Sequence, residues 1–284
     1  MAEKGLLSVK MDLVFKLIFG DQRNTDILAS FLKSVLDIPE EEYDLITVVD
    51  PYVKADYPDD KYGILDIKIH TKSGNVIHAE IQVDAIPEMT QRALYYQSKM
   101  VTEQLGSGDD FWLIKKVVSI LITGYKWPQL KGSDKYHHQF RYRTGDGIEL
   151  TDLIEINTLE LDKLPQETDK TELWNWMRFM ETQNEEELNM LATKTPELKK
   201  AVGVLKELSA DERTRMIAED REKARRDMAS RLNGARREGR EEGREEGKLE
   251  GKLEVAQKMK AMGLSPEQIA TATGLSVDEI ESAG

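Results

Sequence analysis

The stretch 64–82, ILDIKIHTKSGNVIHAEIQ, constrains the fold most, because it reads as one β-hairpin with its polar chemistry on one face. Leu65, Ile67 and Ile69 alternate with Asp66, Lys68 and His70; after the turn, Ile77, Ala79 and Ile81 alternate with His78, Glu80 and Gln82. Such period-two alternation of β-branched residues marks strands buried on one side. Lys72-Ser73-Gly74 suits a three-residue loop closed by glycine in the left-handed region. Pairing Thr71 with Asn75 sets Asp66 opposite Glu80 and Lys68 opposite His78. Cross-strand neighbours lie roughly 4.5–5.5 Å apart at Cβ, so two carboxylates would face each other.

Two facing carboxylates with Gln82 just beyond suit a hard divalent cation. Magnesium binds through one or two carboxylates, waters and substrate phosphate, and the Ile81 carbonyl between Glu80 and Gln82 offers a further oxygen. The alternative is an exposed sheet face whose charges pair locally, as Lys68 with Glu80. On spacing alone this alternative is the commoner arrangement, since half-polar strands are frequent in antiparallel sheets.

Segments 12–19 and 26–36 read as short amphipathic helices, with Gly20 as a break and Asp26 as a cap. Segment 45–52 reads as a strand ended by Pro51, followed by a polar loop over 54–63. Pro87 opens a helix to Leu105, and the apolar run 117–123 (VVSILIT) fits a strand buried on both faces. Segments 139–143 and 153–161 are further strands around a turn at 144–147. Beyond Thr171 the pattern is helical: Leu173, Trp176, Met177 and Met180 make one stripe, continued by Leu188, Leu191, Leu198, Val202 and Leu205. The order α-α-β-β-β-α-β-β-β followed by helices predicts an α/β (α+β) fold, a mixed sheet flanked by helices with a C-terminal helical extension.

A four-residue repeat, GREE GREE GKLE GKLE, fills 239–254. Each helical glycine costs about 1 kcal/mol against alanine, offset in part by pairs such as Glu245–Lys248; a solvated, partly helical linker is expected ahead of a packed seam. Gly263, the capping box Ser265-Pro266-Glu267-Gln268, Gly274 and a second box from Ser276 to Glu279 outline short helices resembling a helix-turn-helix. The would-be recognition helix, VDEIESAG, has three acids and no Lys or Arg, which disfavours groove reading. A packing or self-association module, and with it a homo-oligomer, is the expectation.

The net charge of −13 argues against indiscriminate polyanion binding. No apolar run reaches about 18 residues, so no membrane span is expected, and the charged start does not read as a secretory signal. The absence of cysteine removes disulfides, thiolate zinc sites and cysteine nucleophiles; the cytoplasm is the expected compartment.

The segments DLVFKLIFGD (12–21), ILDIKIHTKSG (64–74), HAEIQV (78–83) and RALYYQSKMVTEQL (92–105) occur in this order. The chain thereby resembles the recombination-promoting nuclease/transposase (Rpn) family of PD-(D/E)XK nucleases, over most of 11–164. The resemblance implies a restriction-endonuclease-like core that hydrolyses DNA with a divalent metal, Mg2+, with Mn2+ or Ca2+ as alternatives. It makes Asp66 and Glu80 the metal-binding acids and sets Gln82 where the motif has a lysine. Glutamine cannot act as a base near neutral pH, and Lys68 on the same face is a substitute cation. Asp12 and Lys16 match another patterned segment that orients water or phosphate. Gln91, Arg92 and Tyr95 open the next helix on a face suited to substrate phosphate, with a solvated surface as the alternative. The expected organisation is a nuclease-like domain over 1–165, a helical extension over 166–233, a charged glycine-repeat linker over 234–254 and a small helix-turn-helix-like module over 255–284. A fold-retaining protein without activity, serving DNA binding or oligomerisation, is the competing function.

Segment 111–145 holds seven Lys/Arg against the single Asp134, interleaved with Trp112, Tyr125, Trp127, Tyr136 and Tyr142. Cations suit a nucleic-acid backbone and aromatics suit splayed bases; a positively charged, β-rich surface with half-buried aromatics is the plainer account. His137 and His138 are adjacent, so on a strand they point apart and make a poor metal pair.

Overall fold

The computed structural model describes residues 5–49, 52–53, 63–64 and 66–282. Leu65, Pro51 and most of the polar loop at 54–63 lie outside the described residues. The chain divides into two compact units, 1–221 and 222–284.

In the first unit, α1 (Asp12–Phe19) and α2 (Thr25–Val35) precede β1 (Thr47–Val49), β2 (Tyr52–Val53), β3 (Gly63–Ile64), β4 (Ile67–His70) and β5 (Val76–Gln82). Then come α3 (Met89–Thr102), β6 (Val117–Thr123), β7 (His137–Arg143) and β8 (Glu149–Glu160), followed by α4 (Glu172–Glu181), α5 (Glu185–Leu191), α6 (Pro196–Ala210) and the start of α7 (Glu212–Ala261). Among the described residues the main sheet has six strands in the order β1-β4-β5-β6-β8-β7, and β2 pairs with β3 apart from it. Strand β5 runs parallel to β6, and β6 parallel to β8; the outer pairings are antiparallel. This is the mixed sheet flanked by helices that the element order predicts.

The two faces of the sheet differ in chemistry. Ile67, Ile69, Ile77, Ala79, Ile81, Val118, Ile120 and Ile122 join α1, α2, α4 and α6 in one large apolar core. At its centre Phe19 meets Phe15, Phe31 and Trp176 at ring-centroid distances of 5.0, 5.4 and 5.8 Å. The stripe Leu173, Trp176, Met177 and Met180 is buried there, as are Leu188, Leu191, Leu198, Val202 and Leu205. The opposite face carries His78, Glu80, Ser119, Leu121 and Thr158, all buried, and α3 contributes Met89 and Ala93 to the apolar cluster around Leu121 and Trp127 on this side.

The hairpin register is the one the turn predicts. Lys68 pairs with His78 and Ile67 with Ala79, the Thr71 N–H donates to the Asn75 carbonyl at 3.0 Å, and Gly74 closes the loop at φ +89°. The expectation of one exposed face is corrected, because β5 is buried on both faces from Val76 to Ile81. Alternating polarity here records a buried polar layer rather than a solvated one.

In the second unit the glycine repeat is helical throughout, as part of α7, and its residues are exposed except for the half-buried Leu253. Lys248 meets Glu245 at 2.5 Å, one of the offsetting pairs. Ile269 of α8 (Pro266–Thr273), Ile280 of α9 (Val277–Ser282) and Leu275 between the two helices pack with Ala256. Ser265 and Gln268 form the capping box, Ser276 and Glu279 exchange the same pair of bonds, and Gly274 takes φ +70°.

An added Cβ at Gly74 would make only an ordinary van der Waals contact, with Lys115 Cγ at 3.7 Å, so its constraint is conformational. Gly74→Ala is expected to lower stability by about 1 kcal/mol through the left-handed backbone alone, read as a shift in the urea midpoint at unchanged slope.

Candidate active site

Strand β4 begins at Ile67, so Asp66 stands just beyond the last ladder rung, next to the place opposite Glu80. Its carboxylate does the work of a strand partner: the Ile81 N–H donates to Asp66 Oδ2 at 2.9 Å. The other oxygen, Oδ1, lies 3.0 Å from the Lys16 ammonium, which also contacts Asp12 Oδ2 at 3.2 Å. Asp12 and Lys16 lie one turn apart on α1, and this brings both to the hairpin. Asp12 also lies 3.4 Å from Arg221.

Glu80 is enclosed, with its side chain 5 % exposed, and Oε1 accepts from Arg92 of α3 at 2.7 Å. Arg92 stacks over the Tyr96 ring at 5.5 Å, and Tyr96 meets Tyr95 edge-on. Tyr95 is half-buried and Gln91 exposed. Gln82 turns its amide to the Asp84 carbonyl at 3.0 Å. The Lys68 ammonium sits on Glu103, near the C-terminal end of α3, at 3.0 Å, so the local Lys68–Glu80 pair expected of an exposed face is replaced by a tie to the covering helix. Sequence reasoning did not reach Glu103 or Tyr96; helical spacing from Arg92 to Tyr96 was the available signal.

The electrostatics follow from burial. Burial raises the Glu80 pKa to about 7; Arg92 opposes the shift and Asp66 adds to it. Burial also raises Asp66, against the Ile81 N–H and Lys16. Burial works against the Lys16 charge, yet Asp66 and Asp12 hold its pKa above the ordinary value. Both partners of the Lys16–Asp66 pair shift upward because Asp66 is the more enclosed, at 12 % against 28 % side-chain exposure. His78 is pushed down to about 3 by burial, with Arg92 and Lys68 adding. It is therefore neutral, its Nε2 is 3.8 Å from Glu80 Oε2, too far for a hydrogen bond, and that nitrogen has no partner.

Two buried carboxylates of raised pKa form a site that favours added positive charge. Among the described residues no group of three or more His, Asp or Glu is arranged to hold a metal; the donors present are Asp66, Glu80 and backbone oxygen.

The model of the PD-(D/E)XK nuclease family transposases matches residues 9–235, which span both acids and the sheet that carries them. The chain belongs to this family. The model of the Rpn/YhgA-like nuclease family C-terminal HTH domain matches residues 249–284. No curated protein and no solved structure gives a significant match. Family membership accounts for the restriction-endonuclease-like core, and the HTH match agrees with the helix-turn-helix resemblance of the C-terminal helices. Helix α9 nonetheless brings no Lys or Arg.

The basic segment is less free than its composition implies. Lys116 and Arg141 both meet Glu155 at 3.1 Å, and Arg143 meets Glu149 at 3.0 Å. His137 contacts Asn157 at 2.8 Å and His138 contacts Ser133 at 2.7 Å, so the two histidines do point apart. Phe111 and Trp112 are exposed, whereas Trp127 is buried.

Because the folded pKa of Glu80 exceeds its ordinary value, the folded chain binds more protons than the unfolded one between about pH 4.5 and 7. Stability is therefore expected to fall across this window as pH rises, by on the order of 3 kcal/mol from this group. Glu80→Gln should flatten the loss in urea unfolding at successive pH values; an undiminished slope would assign the loss elsewhere.

Proposed function

We propose that the chain is a divalent-metal-dependent DNA endonuclease, a phosphodiester hydrolase whose metal is held by Asp66, Glu80 and the Ile81 carbonyl. The observation that carries this reading is the burial of two carboxylates side by side at the end of the β4–β5 ladder, with Glu80 raised to about 7. Oxygen donors of this kind fit Mg2+, or Mn2+ or Ca2+ in its place, since two carboxylates suffice when substrate phosphate and water complete the shell. The metal supplies positive charge against the phosphodiester and acidifies water.

The chain's own residues do the rest. Asp66, tied to the Ile81 N–H, is held in one orientation. Arg92, on Glu80 and open to solvent on one side, is placed to take a phosphate oxygen, with Gln91 and Tyr95 beside it on α3. Gln82 donates hydrogen bonds and orients water without serving as a base. Lys68 supplies positive field from the same face, and Lys16 with Asp12 orients water or phosphate from α1. The HTH family match supports DNA as partner. Action in the cytoplasm, as a homo-oligomer assembled through the C-terminal region and serving recombination, mobile-element activity or defence against foreign DNA, belongs to the same proposal. Among the described residues no helix is long and apolar enough to cross a membrane.

A second reading, a fold-retaining protein without activity that binds DNA or oligomerises, draws on Gln82 at the lysine position and on the internal cations Lys16 and Arg92 that already hold the acids. Plasmid nicking separates the two. Wild type is expected to nick supercoiled DNA with Mg2+ or Mn2+, and Asp66→Ala or Glu80→Ala to lower the rate by at least about a hundredfold. Nicking by Asp66→Ala at the wild-type rate would remove the assignment, and unchanged turnover in Lys68→Ala would take Lys68 out of the mechanism.

A further inference from the structure

Beside the acid pair lies a cavity of about 420 Å³ between α3 and the outer half of the sheet. We propose that it binds one unpaired nucleobase of a strand whose phosphate lies at the Asp66–Glu80 pair; this rests on the nuclease reading.

Position is the first argument. Glu80 is the register partner of Leu121, and Leu121 of Thr158, and both Leu121 and Thr158 line the cavity. With strands about 4.8 Å apart, its near edge lies one strand from Glu80, and its lining runs on over β8 to β7. That is within the reach between a phosphate and a neighbouring base.

The lining is the second argument. Phe140 and Tyr142 of β7 flank the cavity and are 45 % and 49 % exposed, a ready stacking surface. Two other lining residues carry buried polar atoms without hydrogen-bond partners, the Trp127 indole N–H and the Thr158 hydroxyl. Both atoms are enclosed in the wall rather than open to the cavity, so the choice of occupant rests on the aromatic and apolar lining. An aliphatic ligand would leave Phe140 and Tyr142 without a stacked partner. A phosphate would need cations, and the two that line the cavity, Arg141 and Arg143, are paired with Glu155 and Glu149. A planar, neutral group is what remains, and a nucleobase has that chemistry. Its edge and faces are available only when it is unpaired and unstacked.

Fluorescence anisotropy with the full-length wild-type chain in EDTA tests this, using a fluorescein-labelled single strand and the same strand made abasic throughout. The base-bearing strand is expected to bind at least about five-fold tighter, the low end of one base–aromatic stack. Tyr142→Ala, a change at a half-exposed side chain, should erase most of that advantage. Equal binding of the two strands, no binding, or an advantage untouched by Tyr142→Ala would overturn the proposal. Nicking without a base advantage would sink the cavity assignment alone; a base advantage without nicking would sink the nuclease reading and leave the cavity standing.

Discussion

One hydrogen bond sets the geometry on which the site depends: the Ile81 N–H donating to the Asp66 carboxylate. Among the described residues the β4–β5 ladder stops at Ile67 and Ala79, and a buried amide without a partner costs about as much as a lost hydrogen bond. Asp66 fills the vacancy with a side chain, so backbone satisfaction and carboxylate placement become one requirement. The same bond fixes Asp66 beside β5, where Glu80 projects toward α3. A shift of register by one residue would send Glu80 into the apolar core and leave Ile81 under α3, so the hairpin's hydrophobic pattern protects its chemistry.

The second constraint is charge in a closed space. Two carboxylates under a helix are unfavourable together, and the protein answers with one cation from each side, Lys16 from α1 and Arg92 from α3. The compensation is incomplete, since Glu80 still sits near 7. His78, close enough to help, is held neutral by its own burial. On the proposed reading, this remaining deficit of positive charge is what a divalent cation and a phosphodiester exploit.

Much of this was legible in the residues. Alternation plus the Gly74 turn gave the register of the hairpin, and capping boxes at Ser265 and Ser276 located the terminal helices, because these signals are local. The burial of β5 on its polar face was not legible: it is imposed by α3 and β6, and no local pattern distinguishes a polar layer under a helix from a solvated one. Lys68 shows the same limit, since its partner Glu103 caps the C-terminal end of the covering helix. The glycine repeat misled in degree, as helix runs through it despite the propensity penalty. Family likeness, carried by the spaced segments around Asp12, Asp66, Glu80 and Arg92, supplied what spacing alone left open, and the match over 9–235 agrees with it.

The central claim is that the paired acids form a cation site, and direct titration with Mn2+ followed by electron paramagnetic resonance tests it without any substrate. The account predicts one saturable Mn2+ site per chain that is lost in both Asp66→Asn and Glu80→Gln while the fold is retained. Wild type binding no Mn2+, or both variants binding it as wild type does, would contradict the account.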